Sequence, residues 1–241
     1  MIEDKRQPQP FIIQIWDLFL IELTNWRWSW QYLVVVGAIT PLLSMLALSF
    51  FARDSGTEAL QFIWSGNVLI GLMFGLQSRL TSHFVYLRTE GMLNYFATLP
   101  IKKSALILAV IAAFFLIALP STLATIFIGA WIIGLNINPS PLLALVIPLC
   151  AIPMAGIGCL IGSWSRNYNE AGATDLIVTF VMLGLGPVMI PPESLPSVVL
   201  FLGRFSPATY AASALRASLS GNIGPAFWFC LLYTSPSPRD S

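Results

Sequence analysis

The sequence predicts an all-α membrane protein with six transmembrane spans, an N-terminal interface helix, a short helix in its longest inner loop and a pair of outer re-entrant half-helices. Three observations predict this. Of 241 residues, 56% are hydrophobic and 10% are charged, which excludes a soluble domain and an intrinsically disordered one. Uncharged runs recur at or above the about 20 residues that cross a bilayer. Late in the chain, short apolar pieces are too broken by proline and charge to form another span.

The start, Met1–Pro10, carries Glu3, Asp4, Lys5 and Arg6 and lacks the small-residue cleavage site of a secretory signal, so the mature chain is expected to begin near Met1. On a helical wheel of Phe11–Arg27, Gln14, Asp17, Glu22, Thr24 and Asn25 share a polar arc. Ile12, Ile13, Ile15, Trp16, Phe19, Leu23 and Trp26 cover the other side, with Leu18 and Ile21 intruding on the polar one. That pattern predicts a helix lying in the membrane interface, with Trp16, Trp26, Trp28 and Trp30 at headgroup level. Asp17 and Glu22 argue against a span there, because each is costly at the bilayer centre.

The spans are expected at about 31–52, 59–79, 104–133, 142–163 and 172–190, with a sixth from 225 onward. Arg53-Asp54-Ser55-Gly56 separates the first two, and the proline- and asparagine-rich stretch Asn136–Pro141 breaks the long uncharged run 104–165. Pro148, Pro153, Gly156, Gly158 and Gly162 mark the fourth span as bent and closely packed. After Pro225 the apolar run gives way abruptly to Thr-Ser-Pro-Ser-Pro-Arg-Asp-Ser. Residues 1–230 are therefore expected to form one transmembrane domain with an incomplete sixth span, and 231–241 a non-native tail resembling a translated sequencing adapter. With the N-terminus inside, Lys5, Arg6, Arg27, Arg79, Arg88, Lys102, Lys103 and Arg166 face the cytoplasm and only Arg53, Arg204 and Arg216 lie outside, which sets the orientation.

Few residues offer chemistry. Cys150, Cys159 and Cys230 lie in apolar runs without a CxxC pair, and His83 is the single histidine, so neither a disulfide framework nor a metal site is indicated. No GxxxxGK sequence occurs, and no His/Asp/Glu or Ser/His constellation falls within the spans. Asp175, about a turn into the fifth span, reads as an acid reaching headgroups or Arg166. Glu58 reads as solvated, His83 as a loop residue and Arg79 as a snorkelling helix anchor.

The loop of about Arg79–Lys103 carries the strongest signal. Gly91 and Pro100 bracket a short helix on which Met92, Leu93, Tyr95 and Phe96 crowd together, and an apolar cluster rimmed by charge marks a protein contact. In Arg88, Glu90, Gly91, Leu93, Thr98, Leu99 and Pro100 it resembles the first intracellular loop of type-2 ABC transporter permeases, with Asn94 where the family commonly has an acid. The outer stretch 187–221 is similar to the same family's ending through Pro191, Pro196, Phe205, Pro207, Thr209, Tyr210, Leu215 and Arg216.

The resemblance implies a permease subunit that is not itself an enzyme and holds no cofactor or metal of its own. ATP would be hydrolysed on a separate ABC ATPase subunit that receives the short helix through Arg88, Glu90, Gly91, Leu93, Tyr95, Phe96 and Pro100. It also implies a second permease copy, contact with membrane lipid and no nucleic acid, a place in the inner membrane, and export of a lipid, polysaccharide, drug or peptide-type substrate. Trp164–Gly172 would make a smaller second contact with the ATPase. Pro191, Pro196, Pro207, Tyr210 and Arg216 would close the outer end of the path. Alternatives are a haem-exporter permease of cytochrome c maturation, with a similar layout, and an ion-coupled secondary transporter, which requires an inverted repeat and mid-span acids.

Overall fold

The structure is a computed structural model and describes residues 10–220 apart from 28, 52–55, 136–140, 190–194 and 204. The described residues form helices and no strands: α1 (Phe11–Asn25), α2 (Trp30–Phe51), α3 (Gly56–Leu72), a π-helical turn (Met73–Gln77), α4 (Ser78–Thr89), α5 (Met92–Thr98), α6 (Lys103–Ile133), α7 (Leu143–Trp164), α8 (Tyr168–Gly184), α9 (Ser197–Gly203) and α10 (Pro207–Ser220). Among them, four helices are long and apolar enough to cross a membrane: α2, the continuous rod Gly56–Thr89, α6 and α7. The sixth span expected from 225 and the 231–241 tail lie outside the described residues.

The second span departs most from expectation. Its helix continues past Ser78 to Thr89, giving 34 residues and a length of about 51 Å, well beyond a hydrocarbon core of about 30 Å. Arg79 ends the apolar run but not the helix, because the amide ladder needs no apolar side chains once it leaves the bilayer. Residues 79–89, expected in a loop, are therefore a rigid extension. Arg79 does not snorkel freely either: its Nη2 donates to the Leu33 carbonyl of α2 at 3.2 Å.

The helix found where a fifth span was expected, α8, is shorter and displaced, and is not among the four long enough to cross. α8 opens at Tyr168 because Asn167 caps it, the Glu170 N–H donating to Asn167 Oδ1 at 2.8 Å while Glu170 Oε2 accepts from the Arg166 N–H at 3.0 Å. It stops at Gly184, six residues before the expected end at 190. Gly186, at φ +154°, then carries the chain across Gly203 so closely that a Cβ on either glycine would overlap its surroundings. With 17 residues, α8 stands at the lower limit of a crossing helix.

α1 lies side by side with the first half of α6. Gln14 Oε1 accepts from the Lys102 N–H at 3.0 Å at one end, and Trp26 packs edge-on against Phe114 at 5.6 Å at the other. Its inward stripe is Gln14, Leu18 and Glu22, at i, i+4 and i+8. Two members of the predicted polar arc thus turn into the protein, while Ile12, Ile13, Trp16, Leu20 and Ile21 face outward. α2 and α6 run in the same direction, since Gly37 meets Ser121 and Gly129 meets Met45. α6 therefore begins about a dozen residues, roughly 18 Å, before the level at which α2 starts. α1, α4 and the first half of α6 form an extension of the bundle at the end that carries α5.

Candidate functional site

Three groups of side chains stand out along the bundle, and the first is the α4–α5 arm. Gly91, at φ +71°, breaks the helix between α4 and α5 in a conformation that costs a non-glycine residue about 1–2 kcal/mol. Leu99 is extended (φ −84°, ψ 147°), as the following Pro100 requires, and ends α5. Within α5, Leu93 and Phe96 are half-buried against the core. Met92, Tyr95 and Leu99 stand outward at i, i+3 and i+7, with Tyr95 59% exposed. One face therefore braces the helix on its own chain while the other offers an apolar stripe. Glu90 is exposed beside it; its N–H donates to the Tyr86 carbonyl at 3.0 Å, while its carboxylate makes no hydrogen bond or ion pair among the described residues.

Arg88 does not belong to that outer face. Its Nη1 lies 2.7, 2.9 and 3.1 Å from the carbonyls of Ser163, Trp164 and Ser165, the unpaired end of α7. A guanidinium there satisfies orphan carbonyls and opposes the negative end of the helix dipole. The residue thus fastens the root of the arm to α7. His83, expected in a loop, is in α4 with Nε2 3.3 Å from Glu22 Oε1 and its ring 5.0 Å from that of Phe114. The arm is consequently fastened to α7, with His83 lying beside Glu22 of α1.

The second group is buried and centres on Asp175. The sequence suggested headgroups or Arg166 as its partners, but Asp175 is 4% exposed and faces α4. Gln77 Nε2 donates to Asp175 Oδ1 at 3.0 Å, and Ser78 Oγ donates to Oδ2. Thr81 Oγ1 lies 3.2 Å from both Asp175 Oδ1 and the Gly158 carbonyl and shares its one hydrogen between them. Gln77 Nε2 also reaches Thr179 Oγ1 at 3.1 Å.

The π turn ends at Gln77, and its extra residue rotates the following helix face toward α8. Gly158 and Gly162 make the close approach possible, since a Cβ on them would collide with the carbonyls of Gln77 and Thr81. The pair is a small-xxx-small contact in α7. Asp175 was legible as an intramembrane acid; Gln77, Ser78, Thr81 and Thr179 were not, because only the π turn and the α7 glycines bring them together.

The third group is at the opposite end. Arg216 in α10 was expected near outer headgroups, yet it turns inward. Nη1 donates to Ser65 Oγ at 3.0 Å and to the Val188 carbonyl at 3.3 Å, Nη2 donates to the Pro187 carbonyl at 3.2 Å, and Cζ lies 4.0 Å above the Phe62 ring. It ties α10 to α3 and to the chain after α8. α9 and α10 are the expected short pair, bent by 87° relative to each other, with Pro207 opening α10. Pro196 precedes α9, Tyr210 is partly buried in α10, and Pro191 lies outside the described residues.

Long apolar helices joined by a buried polar contact are those of a multi-pass membrane protein. A family model for ABC-2 type transporters matches residues 13–220, and the chain belongs to that family as the permease component of an ABC transporter. No curated protein matches the chain. No solved structure matches it either.

Proposed function

We propose that this permease is the membrane half of an ATP-driven exporter in the inner membrane. Its N-terminus is cytoplasmic, two copies work with two ABC ATPase subunits, and its cargo is a lipid, polysaccharide, drug or peptide-type molecule. The observation that carries the reading is α5. A seven-residue helix has little stability of its own, so it is held by Leu93 and Phe96 beneath and by the Gly91 and Pro100 bends at its ends. A helix held in this way transmits force, and Met92, Tyr95 and Leu99 are its free apolar contact. A groove on the ATPase would close on that stripe, and Arg88 would pass the displacement to α7. The node at Asp175 ties the same rod to α8, so movement of the arm reaches the spans behind it.

Site-directed cross-linking tests the docking. In the assembled complex with its ATPase, Tyr95→Cys is expected to form a disulfide with a cysteine placed in the ATPase groove. Trp131→Cys, at the other end of α6, is expected to form none. Equal cross-linking at both positions, or at neither, would overturn the assignment.

A further inference from the structure

We propose that the groove between the α1–α2 turn and the middle of α6 is a binding site for one anionic phospholipid. The site is lined by Leu23, Trp26, Arg27, Trp30, Leu116, Ile117 and Pro120 and encloses about 240 Å³. That is below the about 300–1,000 Å³ of sites that swallow a whole drug-sized ligand, and it suits part of an acyl chain whose headgroup stays outside.

Among the described residues, Arg27 is the only charged one in the wall. It is exposed, and its guanidinium makes no hydrogen bond or ion pair among the described residues. Arg79, Arg88 and Arg216, by contrast, are engaged within the protein: Arg79 on Leu33, Arg88 on the end of α7, Arg216 on Ser65 and the 187–188 carbonyls. An unpartnered guanidinium above an apolar slot complements a phosphate above an acyl chain.

Level and backbone agree with this. Trp30 opens α2, whose 22 residues span about 33 Å and so match the bilayer, which places the groove at one boundary of the hydrocarbon. Trp26 and Trp30 flank Arg27 there, in the position aromatic residues occupy at headgroup level. Pro120 has no N–H, so the Leu116 carbonyl one turn back loses its helical donor, and both residues are in the wall. Which leaflet supplies the lipid follows from the proposed orientation and makes it the cytoplasmic one; the site itself does not depend on that reading.

The test uses the full chain, purified in mild detergent, with phosphatidylglycerol and phosphatidylcholine as probes. Native mass spectrometry is expected to retain one phosphatidylglycerol per chain, bound about fivefold tighter than phosphatidylcholine, the effect of one arginine at a membrane surface. Arg27→Ala should abolish that preference while Arg27→Lys keeps it, and Leu116→Trp should remove binding of both lipids by filling the slot. Equal binding of the two lipids, or a preference that survives Arg27→Ala, overturns the proposal. So does a shift from dimer to monomer in Leu116→Trp with lipid binding unchanged, which would give the groove to a second copy. Because none of these readouts involves ATP, they fail independently of the coupling role of α5.

Discussion

Asp175 shows how much a single side chain depends on its surroundings. A carboxyl group buried among apolar helices is tolerated only when donors replace its water, and Gln77, Ser78 and Thr81 do so. Hydrogen bonds inside membrane proteins contribute about 0.6 kcal/mol each on average and about 1.7 kcal/mol at most. Removing their shared acceptor also strands the donors. Asp175→Ala should therefore cost about 2–3 kcal/mol, seen as a lower thermal unfolding temperature in detergent, while Asp175→Asn keeps an acceptor and costs less. Equal stability of the alanine variant and the native chain would contradict the node.

The acid itself was readable, since charge inside an apolar run is conspicuous. Its partners were not. Gln77 and Ser78 look like the polar end of a span, and only the π turn shows which face they share. Arg216 taught the same lesson at the other end: charge placement gave its side of the bundle but not the inward carbonyls and the Phe62 ring that hold it.

At the scale of elements, what hydropathy marks well is the interior of a span, and what it marks poorly is where a helix stops. α2, α6 and α7 begin and end within a residue of their expected bounds, because turn residues and apolar runs coincide there. The rod Gly56–Thr89 outlasts its apolar run, and α8 is set by the Asn167 cap and the Gly186–Gly203 crossing rather than by hydrophobicity. α1 was recognisable as amphipathic, but its arcs do not face as expected, since Gln14 and Glu22 serve Lys102 and His83.

The contact of α7 with the π turn and α4 rests on two glycines. In Gly158→Leu the side chain would meet the Gln77 backbone, which cannot swing away as a flexible side chain could. Overpacking of this kind costs about 1–3 kcal/mol. The expected result is a less stable permease in which α7 and the rod separate. A cysteine pair across this contact, cross-linked readily in the native background, should then react several times more slowly. Unchanged cross-linking would show that the approach is not as close as described.

For the whole molecule, the proposed coupling makes the arrangement a lever: α5 would be the handle, α4 the rigid arm, Arg88 the fastening to α7 and the Asp175 node the link to α8. α1 and the first half of α6 brace the arm from behind. Composition and the two proline-punctuated motifs were enough to place the chain among membrane transporters and to put a short helix between Gly91 and Pro100, where α5 lies. The bracing could not be read in advance, because it joins residues far apart in sequence, such as Gln14 with Lys102 and Arg88 with Ser163.

The measurement that bears most directly on the central claim is ATP turnover by the permease–ATPase complex in proteoliposomes, comparing native chain with Tyr95→Asp. Tyr95 is outside the core, so the variant should fold and insert with unchanged thermal stability. If α5 is the contact through which ATP closure drives the spans, a buried, unpaired carboxylate at that interface should cost at least about 2 kcal/mol and lower complex formation or permease-dependent turnover more than tenfold. Native turnover and native assembly in Tyr95→Asp would contradict the account.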